Sequence, residues 1–136
     1  MIDVRIAAGE IETLLRSQIP ADKMQGFVGE VGEIETPPND DRVKAYWILY
    51  AGPGQVDGSR IVPAKFVDRL TFNLTVAGGT EDRALFGVGL VRAALCGEEI
   101  GSGLISEQPF DPGSLRVDKT VTPSRHFTLL SYLLEP

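Results

Sequence analysis

Apolar residues recur every three or four positions at the start of the chain. Val4, Ala7, Ala8, Ile11, Leu14 and Leu15 fall on one face of a helical wheel, and Glu10, Thr13 and Ser17 fall on the other. The spacing predicts an amphipathic helix over residues 3–18, with Asp3 as its N-cap and Pro20 as its stop. The period then changes. Lys23–Val31 and Ala45–Tyr50 read as strands, the second dense in aromatic and β-branched side chains. Between them Glu33–Val43, with two prolines and four carboxylates, reads as a loop. From Arg69 to Val76 the alternation is strict. Leu70, Phe72, Leu74 and Val76 share one face and Thr71, Asn73 and Thr75 the other, which predicts a strand with one buried face.

Gly78-Gly79 breaks that strand, and a second helix follows. Thr80 offers an N-cap hydroxyl, Glu81 and Asp82 suit the positive end of the helix dipole, and Gly97 ends the helix after Cys96. Its wheel is unusual. Ala84, Val88, Val91 and Leu95 form a face that packs on a sheet, yet Phe86 and Leu90 project from nearly the opposite side. A helix that is apolar nearly all round is normally covered. Gly87 and Gly89, each costing about 1 kcal/mol relative to Ala in a helix interior, permit close backbone approach. Two covers stay open: the chain's own loops at 51–68 or 98–123, or a neighbouring subunit. Phe86 and Leu90 are therefore the candidate subunit-interface residues.

The remainder is punctuated by turns. Gly52–Asp68 is irregular, with turns at Gly52-Pro53-Gly54 and Asp57-Gly58. Weak strands at Gly101–Glu107 and Ser114–Val117 flank Pro109–Gly113, and Ser124–Leu134 is a long closing strand whose length suits the inside of a sheet. Helix, strands, helix and strands in this order predict a single α+β domain over residues 1–136, with a mostly antiparallel β-sheet flanked by two main helices.

Composition narrows the function more than it defines it. The 136 residues carry a net charge of -6 and no basic cluster, which argues against specific nucleic-acid binding. The start of the chain lacks the apolar run of a secretion signal, and no run of about eighteen apolar residues is present to span a membrane. One cysteine, Cys96, allows no disulfide within the chain and suits a reducing compartment. With a single histidine, His126, no zinc site of the common kinds is expected, and no cofactor motif is found. Gly87-Val88-Gly89 lies inside a helix instead of before one, so it is not a dinucleotide fingerprint. A Cys96–His126 dyad is conceivable, but a helix C-terminus raises a thiol pKa where catalysis needs it lowered. Glu33, Glu35, Asp40 and Asp41 have no spacing that fixes an acid/base pair, so that loop reads as solvated. No catalytic, cofactor-binding or metal residues are assigned, and the expectation is a protein that is not an enzyme.

Four features in matching order resemble the tail-terminator proteins of long-tailed, siphovirus-type bacteriophages. They are the helix Val4–Leu15, the strand Tyr46-Trp47-Ile48-Leu49-Tyr50, the strand–turn–helix pattern Phe72-x-Leu74-x-Val76-x-Gly78-Gly79 continuing through Ala84-Leu85 and Val91–Leu95, and the closing strand after Pro123. The resemblance implies a structural virion protein. It would form a homohexameric ring that caps the tail tube, ends tube growth and joins the tail to the head-neck. Its implied partners are further copies of itself, the major tail tube protein and a head-neck or stopper protein, with DNA crossing the lumen unbound. Its implied place is the tail or neck of the virion, after assembly in the host cytoplasm. A head-closure protein, another neck or tube protein, or a small enzyme using His126 are the alternatives.

Overall fold

The computed structural model describes residues 1–56, 66–109 and 113–136. It has the α+β architecture expected. The elements run β1 (Ile2–Asp3), α1 (Val4–Gln18), β2 (Gln25–Val28), β3 (Tyr46–Ala51), β4 (Phe66–Val67), β5 (Leu70–Gly78), α2 (Glu81–Leu95), β6 (Glu99–Ile100), β7 (Gly103–Glu107), β8 (Arg116–Asp118) and β9 (Arg125–Glu135). The main sheet has the order β2-β3-β5-β9-β7-β6, with β8 also on β9, and every pair in it is antiparallel except β2 with β3. β1 and β4 form a separate two-stranded ladder.

The caps fall where the sequence places them. The Asp3 carboxylate accepts from the Arg5 and Ile6 amides, and the Thr80 hydroxyl accepts from the Arg83 amide at 3.2 Å. Gly97 takes φ +75°, the left-handed conformation that ends α2. The weak strands expected at Gly101–Glu107 and Ser114–Val117 are shifted to Gly103–Glu107 and Arg116–Asp118, and two further boundaries differ. The strand expected over Lys23–Val31 shortens to Gln25–Val28, because Gly29 turns at φ +79° and the chain folds back. β5 continues through Gly78 instead of breaking there. The Asp57-Gly58 turn, most of Gly52–Asp68 and the middle of Pro109–Gly113 lie outside the described residues.

β9 is the long strand that organises the sheet. Along nearly its whole length it pairs with β5, from Leu70 opposite Leu134 to Gly78 opposite His126. Its other edge is shared by β7 at one end and β8 at the other. Helices α1 and α2 pack together, and α2 lies on β5. Between them sits the main core, in which Phe72 and Tyr132 stack at 5.5 Å between ring centres and Ile11, Leu15, Trp47, Leu74, Val91 and Leu95 are fully or almost fully buried. Gly26 admits the indole of Trp47 against its backbone, where a Cβ would lie 2.0 Å from the ring. The Arg16 guanidinium covers the same ring at 5.2 Å. A smaller core of Val43, Tyr46, Ile48 and Ala77 fills part of the other sheet face, closed by Phe27, Ile34 and Phe127.

The acidic loop is exposed along most of its length, as a solvated loop should be, and it is also fastened at Asp40. Arg83, in the first turn of α2, donates to the Arg42 carbonyl at 2.8 Å, to the Val43 carbonyl at 3.2 Å and to the Asp40 carboxylate at 2.5 Å. Gly79 donates its amide to the Val43 carbonyl at 2.9 Å, and its own Cβ position is filled by Arg42 and Val43. Lys44 pairs with Glu35 at 3.7 Å, and the Gln25 side-chain amide bridges the Glu33 carbonyl and the Glu35 amide. The Arg42 amide, with the Arg83 guanidinium beside it, holds the Asp40 carboxyl below its ordinary value of 3.8.

A depressed carboxyl pKa contributes stability that is complete above the unfolded value and is lost as pH falls through the folded one. Asp40→Asn is therefore expected to lower the melting temperature at neutral pH. It is also expected to flatten its decline between about pH 5 and pH 2 relative to the parent chain. Thermal melts across that range check both.

Candidate functional site: the outer face of the second helix

α2 follows β5 after a tight glycine turn, so its inner side must lie against the strand it has just left. Ala84, Gly87, Val88, Val91, Ala94 and Leu95 are buried there. Gly87 sets the distance of approach. A Cβ on it would lie 2.9 Å from both Met24 Cε and Val76 Cγ1, so the helix backbone rests directly on the sheet. Seated this closely, α2 turns Leu85, Phe86 and Ala93 away from the core.

Leu85 and Phe86 are 53% and 52% exposed, and Gly89 and Ala93 continue the same outer surface. Leu90 behaves differently from Phe86. It lies one turn before the buried Ala94, on the flank of the helix, and is half-buried against the core. The exposed apolar face is therefore Leu85, Phe86, Gly89 and Ala93, with Leu90 at its margin. Leu85 is the member that wheel reasoning overlooked, because its i+3 neighbour Val88 assigns it to neither face clearly. A Cβ on Gly89 would meet nothing within 4 Å, so this glycine serves no packing purpose inside the described fold.

Beside Phe86 the surface dips into a groove of about 530 Å³ lined by Lys23, Lys44, Ala45, Asp82, Arg83, Leu85 and Phe86. Its floor is apolar and its rim carries two lysines. Arg83 is committed to the acidic loop, so the lysines are the cations left facing outward. The sequence places Lys23 and Lys44 twenty-one positions apart and gives no local sign that they meet; the parallel pairing of β2 with β3 brings them together.

A second gathering of reactive side chains lies at the other end of α2. Glu107 accepts from Arg92 Nε at 2.9 Å and from the Tyr132 hydroxyl at 3.1 Å. Cys96 adjoins the same hydroxyl. Burial first, and the Glu107 charge second, push the Cys96 thiol above its ordinary value of 9.0, and the same two causes push the Tyr132 phenol up. A protonated thiol is a poor nucleophile. His126 lies elsewhere, opposite Gly78 and Val117. Six residues of β9 separate it from Tyr132, about 20 Å at the rise of a strand, so Cys96 and His126 form no dyad. Among the described residues no three His, Cys, Asp or Glu side chains converge on a cation position. Glu33, Glu35, Asp40 and Asp41 spread along their loop, with Glu35 and Asp40 engaged by Lys44 and Arg83.

Two pairs of outcomes follow from this geometry. Gly89→Ala should stabilise the folded chain by about 0.5–1 kcal/mol, the helix-interior cost of glycine. Gly87→Ala should lose stability, because overpacking costs typically about 1–3 kcal/mol; chemical denaturation of the two variants compares them. Cys96 should react with a disulfide reagent more slowly at pH 7.5 than a free thiol does. Glu107→Gln, which removes one cause of the raised pKa, should speed that reaction.

No helix among the described residues is long and apolar enough to cross a membrane. No family model matches this chain and no curated protein is similar to it, so its function rests on surface geometry and on sequence pattern.

Proposed function

We propose that this chain is a structural subunit of a phage tail terminator. It would cap the tail tube as a homohexameric ring, stop tube growth and receive the head-neck. The observation that carries the reading is the outer face of α2. Four outward positions, Leu85, Phe86, Gly89 and Ala93, are apolar or lack a side chain on a helix whose inner face is already packed. A surface helix normally keeps that side polar, and contiguous exposed apolar patches on soluble proteins mark interaction sites. A ring needs heterologous contacts, in which one patch meets a different patch on the next copy until the circle closes.

Other features agree with an assembly part. The sheet with both helices on one side and the strand–turn–helix core match the pattern that the resemblance implies. The raised Cys96 thiol and its separation from His126 disfavour the small-enzyme reading. The net charge of -6 suits a lumen through which DNA slides, since favourable phosphate contacts come from Lys and Arg. In this reading the subunit assembles in the host cytoplasm and works in the tail or neck of the virion. It docks on the last ring of the major tail tube protein below and on a head-neck or stopper protein above.

Electron microscopy of lysates from a phage lacking this gene tests the reading. Overlong tails free of filled heads are the expected result. Tails of normal length beside heads that leak DNA would assign the chain to head closure instead, and intact virions would rule out an assembly role. Complementation with Phe86→Asp should leave the tails overlong while the purified variant keeps the parent's circular dichroism spectrum.

A further inference from the structure

The groove beside Phe86 has a counterpart on the same molecule. At the far edge of the sheet, β7 lies between β6 and β9, and Leu104 stands opposite Glu99 on one side and Glu135 on the other. Cross-strand partners point to the same face of a sheet. Leu104, 52% exposed, is therefore an apolar side chain set between two exposed carboxylates. Neither Glu99 nor Glu135 has an ion-pair partner among the described residues, and Glu98 adds a third exposed carboxylate next to Glu99. The groove has a largely complementary order: exposed Leu85 and Phe86, with the neighbouring Lys23 and Lys44 beside them and one exposed carboxylate, Asp82, also on the lining. Lys23 has no ion-pair partner among the described residues, and Lys44 has only the exposed Glu35 at 3.7 Å, an attachment worth little at the surface.

Resting on the ring reading above, we infer that the occupant of this groove is a second copy of the chain. Its Glu99–Leu104–Glu135 row seats Leu104 against Leu85 and Phe86, with its carboxylates turned to the adjacent Lys23 and Lys44. Topology supports the pairing. The groove adjoins the starts of β2 and β3, at the β2 edge. The row lies at the β6 edge and at the end of β9, whose start aligns with the start of β3 through Ala77. Eight residues of β9 separate Phe127 from Glu135, about 25 Å at the rise of a strand. One molecule cannot join its own two patches, whereas copies joined head to tail can. Opposite charges around apolar centres also fix register and exclude wrong partners.

Zero-length carbodiimide cross-linking of the purified protein, followed by peptide mass spectrometry, tests this together with charge reversal. Cross-links from Lys23 or Lys44 to Glu99 or Glu135 between copies are expected. Lys23→Glu with Lys44→Glu should remove the ring from sedimentation profiles, as should Glu99→Lys with Glu135→Lys. Mixing the two variants should restore association between them. All four substitutions are on the surface, and unchanged melting temperatures would confirm intact folds. A parent ring whose cross-links run instead from the lysines to Glu30 or Glu33, or that survives both reversals, would overturn the pairing and leave the ring reading standing. A parent protein that forms no ring, alone or on tail tubes, would remove both.

Discussion

Contact between Gly87 and the side chains of Val76 and Met24 sets the geometry of the whole helical layer. It draws α2 onto β5 until backbone and strand nearly touch. The inner face then needs only small and branched residues, Ala84, Val88, Val91 and Ala94, to reach full burial. Everything bulky that remains on the helix must go elsewhere. Leu90 finds the flank, and Leu85 and Phe86 are left outside. The apolar outer surface is thus a direct result of how closely the helix sits.

The turn that delivers α2 to this position is held from the other side. Gly79 fits only because it lacks a side chain, and Arg83 then gathers Arg42, Val43 and Asp40 around the helix start. One guanidinium ties the long acidic connection to the helix, and through it the β2–β3 pair. The lysines of the groove are neighbours because β2 and β3 pair in parallel, and Arg83 joins that pair to the helix. A single first-turn arginine therefore links the order of the loop to the shape of the surface beside Phe86.

Much of this was legible in the chain. The alternation from Leu70 to Val76, the caps Asp3 and Thr80 and the stop at Gly97 are local signals with local causes, and the length of the closing strand suited its central place. What stayed illegible depends on partners distant in sequence. The parallel pairing of β2 with β3 leaves no mark within either strand. The short strands β1, β4 and β6 exist only because a neighbour supplies hydrogen bonds. Leu90 is more covered than a wheel suggests, since a wheel ignores what lies along the flanks. Arg83 looked like one more surface charge until the carboxylate forty-three positions earlier came beside it.

β2 ends the sheet, yet its first residue is not an open template. The Gln25 carboxamide accepts from one backbone group of the returning chain and donates to another, standing in for a strand that is not there. Unpaired strand edges recruit any extended peptide, with little regard for its side chains. Occupying this stretch of edge with a side chain moves association onto surfaces where individual residues matter. Partner choice can then drift through single substitutions while the hydrogen-bond ladder stays untouched, so the scaffold and its contacts are free to evolve at different rates.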